Sequence, residues 1–333
     1  MDFTKCLAPQ DVVKLCYQAA FGVEHMLGDT TKALAYFREE YAKTSADDKP
    51  LAEYISPDVC RVNLGAWKRL GLNPDWLWNL FVSSVFEDSQ TRKDIFENYL
   101  DQAGRQAQLG AFPFSNAKWE NYIKEYTGKP VRHSEIYREK EKPAYRILSG
   151  WAVTMLPILE SMAGLSGGVI AIDGRAASGK TTFANRFVNC FFGNKPIIIR
   201  MDDFFLPSEL RTPGRPNIHH ERFAEEVLPY IRSGKAFEYR KFDCRIMDYS
   251  GMIKIESHPW RIVEGVYSHH PIHGEYADIR VFLEIDLAEQ RTRIKKRNSP
   301  EIAADYFSKW IPMEETYFEA LSLGGTICCT PKK

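Results

Sequence analysis

Residues 167–187 read GGVIAIDGRAASGKTTFANRF, and this stretch narrows the possible folds more than any other part of the chain. An apolar run at 167–172 predicts a buried strand, and Phe183, Phe187 and Cys190 share one face of a helix predicted over 181–190. Between them Gly174, Gly179, Lys180 and Thr181 satisfy the spacing G-x-x-x-x-G-K-[ST]. A strand, a glycine-bounded turn and a helix N-terminus in that order turn several backbone N–H groups and the positive helix end toward one anion. Gly174, Arg175, Ala176, Ala177, Ser178, Gly179, Lys180, Thr181 and Thr182 are therefore the candidate nucleotide-phosphate cradle. Lys180 is expected to reach the β and γ phosphates of ATP, and the Thr181 hydroxyl to complete a Mg²⁺ shell. The competing reading is a glycine-rich turn that matches by accident.

Downstream, β-branched apolar runs at 197–201, 261–264 and 279–285 alternate with helical patterns such as 222–233. That alternation predicts an α/β domain, a parallel sheet flanked by helices. Arg200-Met201-Asp202-Asp203-Phe204-Phe205 ends one of these strands, which puts two carboxylates at the C-terminal sheet edge, where open α/β folds bind ligands. One carboxylate there suits a general base for a hydroxyl attacking a γ-phosphoryl group. The sequence does not say which of Asp202 and Asp203 it is. A helix-capping pair is the structural alternative.

With 333 residues, two domains are expected. Residues 1–145 carry helical periodicity and little strand signal: Asp11 and Asp29 are expected to cap helices, Asn73-Pro74-Asp75 to start a third, and 93–108 to form a fourth. The expected organisation is thus an all-α domain at 1–145 and a phosphate-loop domain at 146–333, with a charged connection at 127–143. Residues 146–162 read as one helix, interrupted or kinked at Pro157. The 44 Lys and Arg balance the 44 Asp and Glu, so charge gives no reason to expect a nucleic-acid partner or a membrane surface. Seven cysteines without a C-x-x-C pair point to reduced thiols, and no long apolar run is present. A cytoplasmic protein is the expectation; composition says nothing of its oligomeric state.

Several residues of the second half, in order, resemble the uridine kinase and phosphoribulokinase group of P-loop kinases. They are the GRAASGKTT loop, the MDDFF strand end, Lys241-Phe242-Asp243, the run from Arg261 through Glu264 to Tyr267, and the basic segment after Asp286. The resemblance covers about 167 to the C-terminus. It implies Asp202 as catalytic base, Glu264 as a second carboxylate near the metal, and Arg291 with Arg293 as the start of a phosphate-clamping lid. Asn217-Ile218-His219-His220-Glu221 departs from the group's N-F-D-H-P, which removes the sugar-holding Asp. Asp243-Cys244-Arg245-Ile246-Met247-Asp248 lacks its base-reading His, and Lys295-Lys296-Arg297-Asn298-Ser299-Pro300 replaces its usual lid elements.

These readings converge on an ATP-dependent phosphotransferase acting on a small-molecule hydroxyl, similar to uridine kinases but with an altered acceptor site. The alternative is a nucleotide-dependent switch or ATPase with a helical partner-binding module. His219 and His220 either read another acceptor, bind metal or lie in a surface loop. Trp310 and Glu314, on a helix near the C-terminus, are further acceptor-pocket candidates. In the first half, Phe21-Gly22-Val23-Glu24-His25, Arg61-Val62-Asn63-Leu64, and the segment from Arg132 through His133 to Arg138 with Tyr145-Arg146 hold more polar specificity than packing needs. They are candidates to line a pocket for a polar or anionic acceptor; helix caps and ion pairs are the plainer reading.

Overall fold

The computed structural model describes residues 3–330 except 24, 25, 87, 88, 192, 194 and 213, with the side chain of residue 89 also outside the description. Its described residues form two compact units, 3–153 and 154–330.

The first unit is mainly helical. Asp29 caps Thr30–Lys43 by accepting the Lys32 N–H at 3.1 Å, and Asn73 caps Pro74–Val82 with Pro74 in the first turn. The helix expected at 93–108 begins earlier and runs Ser89–Gln108. Asp11 is not the cap of its helix. It lies inside the first turn of Pro9–Phe21, where its Oδ2 accepts the Ala8 N–H at 3.0 Å.

The all-α expectation needs one correction. Strands β1 (Ala52–Ser56), β2 (Val59–Asn63) and β3 (Tyr145–Ser149) form a three-stranded antiparallel sheet. β2 is only five residues long and buried along most of its length, so it shows no period-two alternation that a sequence reading could use. β3 also replaces the first part of the helix expected at 146–162. Short helices Gly150–Val153 and Leu156–Met162 follow it, and Pro157 sits in the first turn of the second, where its missing N–H costs nothing.

In the second unit β4 (Gly168–Gly174), β5 (Ile198–Arg200), β8 (Trp260–Glu264), β9 (Ile279–Leu283) and β10 (Ile327–Cys329) form a parallel sheet in the order β10-β9-β4-β8-β5. This is the expected α/β architecture with flanking helices. β4 lies in the middle with both neighbours parallel, so Val169 to Gly174 are all buried and the strand reads as a continuous apolar run. Val169, Ala171, Ile199, Phe204, Phe223 and Val263 belong to one core cluster.

Two features were not expected. β6 (Phe237–Asp243) and β7 (Asp248–Ile255) make an antiparallel hairpin outside the main sheet. The helix read at 222–233 is two pieces, His220–Glu226 and Leu228–Ile231, separated by Val227 at φ −121° and interrupted at Pro229, in the first turn of the second.

Candidate phosphate-binding site

The register of the central strands assembles the site. Ile172 of β4 is level with Glu264 of β8, and Glu264 is level with Arg200 of β5, so these strands deliver the phosphate loop, Glu264 and Arg200 to one sheet edge. β4 ends in Gly174, and the helix Lys180–Phe187 starts after Gly179.

The loop needs its glycines. Gly174 has φ 141°, and a Cβ there would lie 2.3 Å from the Leu283 carbonyl oxygen; Gly179 has φ 98°. Ala177 adopts φ 59°, a left-handed conformation uncommon for a residue with a side chain and frequent at ligand-binding turns. Lys180 Nζ donates to the carbonyls of Gly174 at 2.7 Å and Arg175 at 3.0 Å, which holds its ammonium across the loop. The Ser178 hydroxyl is buried within the loop without a hydrogen-bond partner. An unmatched hydroxyl in a loop that leads into a helix N-terminus fits an oxyanion ligand.

Thr181 donates its hydroxyl to Glu264 Oε1 at 3.1 Å, and Arg200 Nη1 bonds the same oxygen at 2.5 Å. Burial pushes the Glu264 carboxyl above its usual range, as does the charge of Asp202; Arg200 and Lys180 oppose this. With its proton directed at Glu264, the Thr181 oxygen keeps a lone pair for a cation. Among the described residues no group of three or more His, Cys, Asp and Glu can hold a metal by itself. A site that takes one hydroxyl and completes its shell with phosphate and water needs none.

The two aspartates after β5 part company. Asp202 is exposed, whereas Asp203 is buried and its Oδ2 accepts the Tyr239 hydroxyl of β6 at 2.8 Å. Burial raises the Asp203 pKa against the lowering effect of that bond. Its carbonyl accepts from Arg222, which also bonds Glu226 and the Arg240 carbonyl, so Asp203 belongs to the packing of the β6 hairpin.

Of the two arginines expected to start a lid, Arg293 Nη1 donates to the Ala177 carbonyl at 3.2 Å while its Nε pairs with Glu289. Arg291 lies 4.9 Å over the Phe307 ring. Arg175 pairs with Glu315, and Thr182 is exposed on the first turn of its helix. His219 spends its Nδ1 capping the His220–Glu226 helix, and His220 Nδ1 lies 3.1 Å from His273 Nε2 in a packed aromatic group.

Sequence reasoning missed three partners of the loop. Glu314 Oε2 accepts the Ala176 N–H at 2.9 Å, and Gln290 Nε2 donates to the Ala176 carbonyl at 3.0 Å. Asp173, fully buried one residue before the loop, accepts from the N–H of Gly174 and His269 and from the Tyr317 hydroxyl at 2.7 Å. Glu314 and Gln290 lie over a hundred residues from the loop in sequence, and no local pattern in their helices points to it. Glu314 thus turns its carboxylate toward the phosphate loop. Trp310 lies 4.5 Å from Tyr306 in an edge contact.

No family model matches the chain, and no curated protein matches it. Solved structures do. A suggested fructose transport system kinase from Silicibacter sp. TM1040 aligns with a TM-score of 0.46 and 20% identity, over 54% of this chain and 98% of that one. A possible uridine kinase from Bacillus stearothermophilus aligns with a TM-score of 0.42 and 13% identity, over 53% of this chain and 97% of that one.

Proposed function

We propose that the second unit is a Mg²⁺- and ATP-dependent phosphotransferase whose acceptor is a hydroxyl of a small molecule. The observation that carries this reading is the joining of the glycine-bounded loop with its unpartnered Ser178 hydroxyl, Lys180 and the Thr181–Glu264 pair at the edge of a parallel sheet, with the exposed carboxylate of Asp202 following β5. Phosphoryl transfer asks little covalent chemistry of the protein, and positioning with charge stabilisation supplies most of the rate. The loop and Lys180 would hold the phosphates, and Thr181 with Glu264 would hold Mg²⁺, which would neutralise phosphate charge. Asp202 accepts the proton of the attacking hydroxyl, and Arg293 faces the loop from the lid helix.

The acceptor pocket differs from that of a uridine kinase in this reading. His219 is spent as a helix cap and His220 is packed against His273. Cys244 and Met247 lie 3.9 and 3.8 Å from Arg211 Nη2, where the resembling group has a base-reading histidine. A site without the polar partner of a substrate loses much of its discrimination for it. Uridine and cytidine are therefore poor acceptors.

The test is a phosphorylation screen of a hydroxyl-bearing metabolite pool with labelled ATP, on the full chain and on Lys180→Ala. A labelled product made by the full chain alone supports the reading. ATP hydrolysis with no labelled product rejects transfer in favour of a nucleotide-driven switch, and efficient uridine phosphorylation at low micromolar concentration rejects the altered acceptor site.

A further inference from the structure

Two of the polar clusters of the first unit meet in space; in the third, Glu24 and His25 lie outside the described residues. Arg61 Nε and Nη2 both donate to Gln18 Oε1, at 3.2 and 2.7 Å, and its guanidinium lies 4.7 Å over the Tyr145 ring. The Tyr145 hydroxyl lies 2.6 Å from His133 Nε2 and within hydrogen-bond reach of Gln18. Beyond His133, the Asp11 carboxylate accepts from Ser134 N–H at 2.8 Å, Ser134 Oγ at 2.7 Å and Ala8 N–H. Tyr145, Gln18 and His133 form part of the wall of a cavity of about 820 Å³.

The charges around this cavity do not balance. Its two acids are already paired, Glu39 with Lys43 at 2.5 Å and Glu40 with Arg146 at 2.5 Å. Lys14, Arg132, Arg138 and Lys142 remain, and none has a carboxylate partner among the described residues. Arg61, buried behind the wall, bonds the neutral Gln18 and lies over the Tyr145 ring, and no carboxylate pairs with it among the described residues. Lys14 donates to the Val131 carbonyl at 3.2 Å, and the acid that acts on it, Asp11, is committed to Ser134 and Ala8. Burial, then the charges of Arg61 and Arg138, pull the Lys14 ammonium down to about 8. Burial likewise holds His133 down to about 4, so its imidazole is neutral. Lys14 is half-buried in the field of Arg61 and Arg138, while Arg132, Arg138 and Lys142 reach the same cavity from exposed positions; an anion among them relieves the repulsion at Lys14.

We propose that this cavity binds a small organic molecule bearing a multiply charged oxyanion, gripped by Lys14 and Arg138, with the Tyr145 hydroxyl in the wall beside it. The excess of cations over free acids suits a phosphate ester or a dicarboxylate better than a monoanion, and guanidinium groups match the paired oxygens of either. The volume admits a metabolite-sized ligand larger than the bare ion. The site lies wholly in the first unit and does not depend on phosphoryl transfer in the second.

Calorimetric titration of the full chain with glycerol 3-phosphate, inorganic phosphate and succinate tests this. Glycerol 3-phosphate or succinate is expected to bind, more weakly as salt rises, and the stronger of the two identifies the head group. Lys14→Met and Arg138→Gln should each weaken it about tenfold or more, the scale of one charge-assisted contact, and Arg138→Lys should restore part of the loss. Arg138 is exposed, so its variants keep the fold, which thermal unfolding checks. Lys180→Ala should leave this binding unchanged. Binding lost in Lys180→Ala but kept in the Lys14 and Arg138 variants would place the anion in the phosphate loop and overturn the proposal, as would no binding of any probe.

Discussion

Glu314 Oε2 accepts the backbone N–H of Ala176 at 2.9 Å, so a buried carboxylate rests on the loop that is expected to hold phosphate. Burial raises the Glu314 pKa, while Lys180 and the Ala176 N–H pull it back. Glu314→Gln keeps an oxygen for Ala176 and removes the negative charge beside the incoming phosphates. ATP should bind about five-fold more tightly to this variant, from about 1 kcal/mol of relieved repulsion at intermediate dielectric. Equilibrium nucleotide titration at neutral pH measures it, and unchanged or weaker binding would show that the carboxylate does not oppose the phosphates.

In the proposed reaction the exposed Asp202 and the buried Asp203 do different work. Asp202→Asn should lower kcat by about 10²- to 10⁴-fold, the range for a positioned general base, with ATP affinity preserved. Asp203→Asn should lower it about tenfold or less, because that side chain faces Tyr239. Tyr239→Phe leaves the Asp203 carboxyl without this donor and should cost about 1–3 kcal/mol of stability. A larger kcat loss in the Asp203 variant would exchange the two roles.

Gly174→Ala should be among the most damaging single-methyl additions in the chain. The new Cβ meets the Leu283 carbonyl of β9 at 2.3 Å, and the φ of 141° suits glycine alone. Loss of about 2 kcal/mol or more is expected in thermal or denaturant unfolding, together with loss of nucleotide binding. Gly214→Ala is the control: its φ is 75°, but nothing lies within 4 Å of a Cβ there, so only the milder backbone strain remains.

Acid should weaken the second unit through its packed histidines. Burial and neighbouring imidazoles lower His273 to about 3 and His220 to about 4, against an ordinary value of 6.5. The unfolded chain therefore takes up protons first as pH falls below 6.5. The stability from the neutral pair is complete above that value, and drains away down to pH 3–4. Unfolding at stepped pH should show this slope, and His273→Asn should flatten it. An identical slope in the variant would assign the acid sensitivity elsewhere.

Local order in sequence was enough to read β4, the loop and the helix after it, because a buried central strand is a continuous apolar run and the loop's glycines and Lys180 sit at fixed spacing. The later parallel strands and the Asp202–Asp203 pair at the end of β5 were legible for the same reason. β1 to β3, the β6–β7 hairpin and the split after Glu226 were not: β2 and β3 are five-residue strands buried along most of their length and carry no period, β1 is as short with one buried residue, and the mostly exposed β7 resembles a loop. Only tertiary structure could set Glu264 level with Arg200, turn Asp203 inward to Tyr239, and bring Glu314 to Ala176 or His133 to Arg61 through Tyr145 and Gln18. Spacing along the chain encodes backbone conformation and the periodicity of one element. Which side chains share a site depends on strand register and packing between residues far apart in sequence, and no local pattern records that.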